Sequence, residues 1–215
     1  VGCYSTQTYK HMNSGEGGFL VSADAEFMAR ATVLSGSYMM YARHGAGPAD
    51  PAFAAARYLM PNGSARMDAV RAALLLDQIA TLPGRIRRWN TLYRAAAAGL
   101  ADLPGLTLPR RPQVEGFVGS SIQFLVPSAC TAEDCQALVT GCAAWGVDLK
   151  WFGAIVPHGY TSRYDHWNFA SQAPLPRTSA TLRRTFDMRL PVTFQPCDCG
   201  PITRIIAEEL REVCA

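Results

Sequence analysis

Between Met67 and Leu100 the apolar residues recur at the three- and four-residue spacing of an amphipathic helix. The Pro83-Gly84 pair stands in the middle of this pattern, and proline lacks the amide hydrogen that a helix interior needs. We therefore predict two consecutive helices, one ending at this pair and one spanning Arg85 to Leu100. On the second, Trp89 and Tyr93 share a face with other apolar residues and are interpreted as core packing. The helical stretch separates the chain into a part before it and a part after it.

The part before the helical stretch predicts a strand, a turn and a helix. Phe19 to Val21 is a short apolar run typical of a strand. A helix with an apolar stripe follows from about Ala23, and Ser22 or Asp24 is expected to be its N-cap. Residues 44–64 contain three prolines and several glycines, which predicts a long irregular connection.

Strands and helices also alternate in the part after the helical stretch. Residues 121–126 predict a strand, a helix capped by Thr131 follows, and residues 147–152 predict another strand. Residues 157–186 are interpreted as irregular, and Asp198 is expected to cap a final amphipathic helix. Elements that alternate in this way indicate an α/β or α+β fold.

The composition is that of an ordinary globular protein and excludes several classes. The 215 residues are 49% hydrophobic and 17% charged, which allows a full core and argues against a disordered chain. No apolar run is long enough to cross a membrane and the start lacks the layout of a signal peptide, so we expect a cytoplasmic protein without a membrane partner. The net charge of +3 comes from scattered arginines, so no nucleic-acid partner is expected.

The seven cysteines form no repeating framework, which favours reduced thiols of a cytosolic protein over a disulfide scaffold. Cys130, Cys135 and Cys142 lie in or beside an apolar stretch and are expected in the core. Cys197 and Cys199 are too close in sequence to supply two corners of the usual zinc site, and we predict no metal site. A thiol function at this pair stays open, and lowered thiol pKa values would support it.

Lys10 is one of only two lysines, with Lys150, in a chain whose other basic residues are arginines. An ammonium group can lose its proton and then attack a carbonyl, whereas a guanidinium stays charged. A Schiff-base role is therefore admissible. An ordinary solvated loop lysine is the competing interpretation, because the following Gly15-Glu16-Gly17-Gly18 is neither a P-loop nor a dinucleotide-binding motif. These glycines permit positive φ and a sharp turn into the next strand.

The segment "YSTQTYKHMNSGEGGFLVS" at residues 4–22 resembles the Schiff-base segment of the DegT/DnrJ/EryC1/StrS family of pyridoxal-phosphate-dependent sugar aminotransferases. In that family a serine stands five residues before the lysine and a GEGG cluster follows it. Two further segments match in the same order: "RHG" at residues 43–45, and "NGSARMDAVRAALLLDQIATLPGRI" from residue 62, which is similar to the family's asparagine-x-arginine-methionine segment and its following helix. "DMRLPVTF" and the final helix resemble the family's C-terminal lobe.

The resemblance implies an α/β protein with the fold of type I pyridoxal-phosphate-dependent transferases. Residues 1–66 would be the end of the large cofactor-binding domain, residues 67–100 the connecting helices, and residues 101–215 the small C-terminal α/β domain. The family's N-terminal half carries the phosphate-binding loop, a stacking aromatic and an aspartate for the pyridine nitrogen. These would precede Val1, so we expect the 215 residues to be part of a longer enzyme.

The resemblance also implies the cofactor, pyridoxal 5′-phosphate, and assigns roles to three residues. Lys10 would form the Schiff base and act as the general acid/base, and Ser5 would bond the cofactor phosphate. Asn62 would reach the phosphate of the neighbouring subunit, which implies a homodimer with shared active sites. The spacing departs from the family here, since three residues rather than one separate Asn62 from Arg66.

Members of the family move an amino group from an amino acid, commonly glutamate, to a keto sugar that is often nucleotide-linked. We expect substrate contacts from His158, Arg163, His166 and Trp167, which combine hydrogen-bond donors with a flat apolar face. A satellite aromatic core with satisfied histidines is the competing interpretation of these four residues. The alternative function is a catalytically inactive or incomplete aminotransferase-like domain with a binding or regulatory role.

Overall fold

The computed structural model describes residues 1–36, 47–48, 50–61, 63–111, 116–156, 164–169, 171 and 173–213. They form two compact units, Val1–Pro83 and Gly84–Ala215. The first unit contains β1 (Gly2–Ser5), β2 (Gly18–Val21), α1 (Ala25–Leu34) and α2 (Asp50–Ala56). The helix α3 (Ala69–Ala101) begins in the first unit and ends in the second. The second unit then contains β3 (Ser121–Leu125), α4 (Ala132–Ala144), β4 (Lys150–Trp151), α5 (Pro176–Leu182), β5 (Thr185–Arg189) and α6 (Cys199–Val213).

The first unit is built on a two-stranded antiparallel sheet of β1 and β2. The register pairs Gly2 with Val21 at one end and Ser5 with Gly18 at the other. The strand predicted at residues 19–21 is therefore confirmed. The loop that joins the two strands carries Lys10.

The two short helices of the first unit pack on each other through small and apolar side chains. Asp24 is the N-cap of α1, and its carboxylate accepts a hydrogen bond from the Phe27 N–H at 3.0 Å, as expected. The prediction of an irregular connection over residues 44–64 is wrong for α2, because alanines favour the helix and Phe53 anchors it in the core. This core consists of Ala29, Val33, Phe53 and Ala56.

Pro83 lies inside a single continuous helix, so the predicted break at Pro83-Gly84 is wrong. A proline removes one backbone hydrogen bond of the helix, here the one to the Ile79 carbonyl. The hydrogen bonds of the other residues continue α3 on both sides of Pro83. At the start of α3 the carboxylate of Asp68 accepts a hydrogen bond from the Arg71 N–H at 2.9 Å.

The second unit contains a three-stranded antiparallel sheet in the order β3, β5, β4. Phe124 and Phe186 stack across β3 and β5 with ring centroids 5.5 Å apart, and Trp151 stacks on Phe186 at 6.3 Å. The strand predicted at 121–126 is confirmed, and the one predicted at 147–152 is reduced to β4. The irregular assignment of residues 157–186 is wrong for α5 and for the start of β5, where Phe186 and Met188 alternate into the core.

Helices α4 and α6 and the second half of α3 complete the core of the second unit. Thr131 and Asp134 form a reciprocal capping box at the start of α4, as predicted. Asp198 acts differently from the prediction: its carboxylate accepts a hydrogen bond from the Gln195 N–H at 2.7 Å and so closes the short 3₁₀ turn before α6. Trp89 and Tyr93 are buried, as expected, and α6 packs its apolar face on the same core, through Ile202, Ile205, Ile206, Leu210 and Val213.

The cysteines of the second unit are mostly core residues. Cys130, Cys135 and Cys142 are buried as predicted. Cys130 is disulfide-bonded, so the expectation of reduced thiols does not hold at this position. Within the described part of the chain, no helix has the length and apolar character that crossing a membrane requires.

Candidate active site

Lys10 lies in the loop of residues 6–17 between β1 and β2. Backbone hydrogen bonds close this loop, from the Thr6 N–H to the Gly17 carbonyl at 2.9 Å and from the Thr8 N–H to the Gly15 carbonyl at 2.8 Å. Lys10 lies beyond both, in a turn where its own N–H donates to the Gln7 carbonyl at 2.9 Å. Lys10 is exposed. The loop therefore presents a primary amine that can react with a carbonyl compound.

Thr6 fixes the base of this loop. It is fully buried, and its carbonyl accepts a hydrogen bond from the Ser14 N–H at 2.8 Å. Its hydroxyl accepts a second one from the Ser14 hydroxyl at 3.1 Å. A buried polar side chain costs free energy unless it is bonded, and here Thr6 is bonded to both sides of the loop. No sequence pattern indicates this role, because a threonine after a short strand is also common in ordinary loops.

The glycine cluster acts in two ways. Gly15 and Gly17 have φ of 87° and 132°, which confirms the predicted use of positive φ. Gly18 does not have positive φ, but a Cβ at this position would lie 2.6 Å from the carbonyl oxygen of Tyr4. The first two glycines therefore turn the chain, and Gly18 lets β2 approach β1 closely.

Ser5 is the last residue of β1 and its side chain is positioned locally. Its Oγ accepts a hydrogen bond from the Gln7 N–H at 3.3 Å. A serine hydroxyl that accepts in this way can still donate its own hydrogen, so the hydroxyl of Ser5 can bond an anion. Ser5 is exposed and borders a cleft.

The cleft beside Ser5 has a volume of about 800 Å³, within the range of small-molecule sites. It is bounded by β1, β2, α1 and residues 65–67. Tyr4 and Phe19 stack at its edge with centroids 5.0 Å apart, and Arg66 contributes a cation to the lining. Lys10 is not among the lining residues. The sequence analysis identified the arginine-methionine pair that contains Arg66 as a family motif, but it did not predict that Arg66 lines a cleft.

The Lys10 loop also contacts α3, and the sequence analysis did not predict this contact. The side-chain carboxamide of Gln78, on α3, bonds both backbone polar groups of Asn13. Its Oε1 accepts from the Asn13 N–H at 2.9 Å and its Nε2 donates to the Asn13 carbonyl at 2.7 Å. A glutamine at a half-exposed helix position carries no signal of such a contact.

Asn62 lies outside the described residues, whereas the residues after it are described. The Gly63 N–H donates to the Leu34 carbonyl at 2.9 Å and the Ala65 N–H donates to the Ser35 carbonyl at 3.0 Å. These bonds fasten the segment before α3 to the C-terminal end of α1. Arg66 is thereby held at the cleft.

Two of the four predicted substrate residues, His158 and Arg163, also lie outside the described residues. His166 ends a short 3₁₀ helix in the second unit, and Trp167 follows it and stacks on Phe169 at 5.5 Å. His166 Nδ1 is buried and has no hydrogen-bond partner in the described structure.

The thiol function considered for Cys197 and Cys199 is contradicted at Cys199. This residue is buried, and its Sγ lies 3.6 Å from the Leu92 carbonyl oxygen. Burial, reinforced by the neighbouring Asp198, raises the pKa of its thiol, and so disfavours the reactive thiolate. The described residues contain no group of three or more histidine, cysteine or acidic side chains that could hold a metal ion.

Comparison with known proteins identifies the same family along most of the chain. The family model described as the DegT/DnrJ/EryC1/StrS aminotransferase family matches residues 1–206. The match includes both units.

Solved structures show the same fold. The aminotransferase TlmJ from Streptoalloteichus hindustanus aligns with a TM-score of 0.74 and 18% identity, over 98% of this chain and 52% of that one. PseC of Helicobacter pylori, an aminotransferase involved in pseudoaminic acid biosynthesis, aligns with a TM-score of 0.74 and 13% identity, over 98% and 53%. DesV of S. venezuelae, solved in complex with a ketimine intermediate, gives 0.71 and 21%, over 97% and 51%. The chain spans about half the length of these proteins, and its fold is that of type I pyridoxal-phosphate-dependent transferases, as expected.

Proposed function

Because the chain belongs to the DegT/DnrJ/EryC1/StrS aminotransferase family, we propose that it carries the catalytic lysine of a pyridoxal-phosphate-dependent aminotransferase. The reaction would move an amino group from an amino acid, most simply glutamate, to a keto sugar or a nucleotide-linked keto sugar. The observation that carries the proposal is Lys10 itself. It is an exposed amine in a loop whose base is held by the hydrogen bonds of Thr6 and Thr8.

The residues present fit this cofactor by the chemistry of their groups. Covalent attachment requires an amine, which Lys10 supplies, and the phosphate requires donors near its binding cleft. Ser5 keeps a hydroxyl hydrogen to donate, and Arg66 adds a cation at the same cleft. When bound, the cofactor would withdraw electrons from the Cα of the amino donor, so that a proton can leave that carbon.

Lys10 would perform two tasks in this reaction. Its Nζ would hold the cofactor covalently between turnovers, and after release it would move the proton between the Cα of the donor and the C4′ carbon of the cofactor. An arginine at position 10 could do neither, because its guanidinium does not lose a proton at neutral pH.

Each cofactor phosphate would be held by Ser5 of one subunit and Asn62 of the other. Ser5 would donate its hydroxyl hydrogen within its own subunit, and Asn62 would reach the phosphate of a neighbouring copy, which makes a homodimer part of the proposal. The exposed apolar side chains on the first half of α3 support a partner surface there, because large apolar side chains in a group are normally covered. These are Val70, Leu74, Leu76 and Ile79.

The contacts to the acceptor involve residues of the second unit. The Nδ1 atom of His166 is buried and has no hydrogen-bond partner among the described residues, and the stacked rings of Trp167 and Phe169 offer a flat face of the kind that sugars and nucleobases contact. We propose that these residues, with His158 and Arg163, contact the acceptor.

The chain offers a matched pair of variants to test the proposal, because Lys10 and Lys150 are its only lysines. Lys150 lies on β4 with its amine over the ring of Phe152. In the full-length protein, Lys10→Arg and Lys150→Arg both keep the positive charge. We expect the visible absorption band of covalently attached pyridoxal phosphate in the wild type and in Lys150→Arg, and its loss in Lys10→Arg.

Reduction with borohydride followed by peptide mass spectrometry then gives the attachment site directly. We expect to find the cofactor on the peptide that contains Lys10. We also expect the absorption band to disappear when glutamate is added without an acceptor. If the full-length wild type forms no band, the enzyme proposal fails, and the alternative of an inactive domain with a binding or regulatory role takes its place. A band that survives in Lys10→Arg would reject Lys10 as the attachment site.

A further inference from the structure

The contact between Gln78 and Asn13 joins the Lys10 loop to α3. One carboxamide bonds both polar groups of the Asn13 backbone, at 2.9 Å to the N–H and 2.7 Å to the carbonyl. This is the pairing that a neighbouring strand would provide, supplied here by a single side chain. Both hydrogen bonds are partly buried, which makes their loss more costly than that of exposed ones.

The orientation of the Gln78 side chain is fixed by a third hydrogen bond. Its Nε2 also donates to the Leu74 carbonyl at 3.0 Å, one turn earlier on α3. A rotated carboxamide would place its oxygen against two carbonyl oxygens, those of Leu74 and Asn13, and its NH₂ against the Asn13 N–H. Only one orientation of this amide satisfies all three contacts, so the helix holds the loop in one position.

Gln78 adds an anchor to the arc of the loop that carries Lys10. Before Lys10, the last bond across the loop is the one from Thr8 to Gly15, and after it the Ser14 N–H bonds Thr6. Asn13 follows Lys10 by three residues, a span of at most about 11 Å of extended chain. The bonds from Gln78 thus add a restraint three residues after Lys10, and this restraint comes from α3 rather than from the base of the loop.

We propose that Gln78 is a positioning residue for Lys10: it holds the arc of the loop that carries the amine in the place where the amine reacts. This inference rests on the proposed function of Lys10. Gln78 contacts the Asn13 backbone and not the reacting atoms, so its removal is expected to change where the amine lies more than how the substrate binds. A displacement of about 1 Å can cost about a hundredfold in rate.

The test uses Gln78→Met in the full-length protein. Methionine has a similar length and a high helix propensity, so the variant removes the three hydrogen bonds and leaves α3 intact. The matched control is Gln136→Met, since Gln136 is an exposed glutamine on α4. We expect the kcat of Gln78→Met to fall about tenfold to a hundredfold, with the KM for the amino donor within about twofold of the wild type, and we expect Gln136→Met to match the wild type.

A second measurement reads the contact without any activity. Hydrogen exchange of the Asn13 amide should be at least about tenfold faster in Gln78→Met, with or without cofactor, because its acceptor is gone.

The outcomes separate this inference from the proposed function. If Asn13 exchange is unchanged in Gln78→Met, or if exchange rises while kcat stays that of the wild type, Gln78 does not position Lys10. Equal losses of kcat in Gln78→Met and Gln136→Met would also reject the inference. If the wild type itself binds no cofactor at Lys10, the proposed function fails and this inference fails with it, whereas the exchange result still decides whether Gln78 anchors the loop.

Discussion

Gly99 on α3 allows a close approach to α6, and its replacement by alanine gives a prediction with a definite sign. A Cβ at position 99 would lie 2.3 Å from the Oγ1, 2.8 Å from the Cβ and 3.1 Å from the Cγ2 of Thr203. Thr203 is buried, and its hydroxyl donates to the Cys199 carbonyl at 2.9 Å, so its side chain cannot rotate away without losing that bond. The helices must therefore move apart.

The expected magnitude follows from two opposing effects. Replacing glycine by alanine within a helix normally stabilises a protein by about 0.5–1 kcal/mol. Overpacking a core costs about 1–3 kcal/mol, and a clash with a Cβ belongs in the upper part of that range. We expect Gly99→Ala to lower the free energy of unfolding by about 1–2 kcal/mol.

Gly84 is the matched control on the same helix. A Cβ there would meet only the tip of the Arg87 side chain, at 3.8 Å. Gly84→Ala should therefore raise the free energy of unfolding by about 0.5–1 kcal/mol. Urea unfolding of the full-length protein, followed by tryptophan fluorescence, measures both variants, since all four tryptophans of this chain lie after residue 84. Midpoints that move in the same direction would refute the reasoning about the close approach.

Two further predictions concern the first unit. In a double-mutant cycle of Thr6→Val and Ser14→Ala, urea unfolding should give a coupling of about 0.5–1.5 kcal/mol, the net value of a hydrogen bond; strictly additive effects would show that the bond between the two hydroxyls at 3.1 Å contributes nothing. The backbone N–H of Arg71, helped by its side chain, holds the pKa of Asp68 below its ordinary value. A carboxylate whose pKa is lower in the folded than in the unfolded state stabilises the protein above the unfolded-state pKa, and this stabilisation is lost as the pH falls through the folded-state pKa. The loss of stability caused by Asp68→Ala at pH 7 should therefore shrink toward zero at acidic pH. A loss that is constant with pH would contradict this assignment.

The sequence predicted elements that have local signals. The capping box at Thr131 and Asp134 and the N-cap at Asp24 depend on residues within one turn, and both formed as expected. The break predicted at Pro83 rests on the same kind of local rule and is wrong, because one missing hydrogen bond does not end a helix whose other hydrogen bonds continue on both sides. Helix α2 was missed because prolines and glycines around it outweighed a short run of alanines.

The candidate site shows a similar division. Lys10, Ser5 and the glycines belong to one contiguous segment, so the resemblance identified them together. Gln78 and Asn13 are 65 residues apart, and the glutamine bonds only backbone atoms of Asn13. No pattern of spacing or composition reports such a contact, because it needs the folded position of α3 beside the loop.

That contact also determines how the two positions can vary among related proteins. Gln78 bonds the N–H and carbonyl of residue 13, which every amino acid except proline provides, so the contact places almost no demand on the side chain there. Position 78, by contrast, needs a side chain that reaches the loop with both a donor and an acceptor. The two positions should therefore not covary, and a search for correlated substitutions would overlook the side chain that ties the lysine loop to its helix.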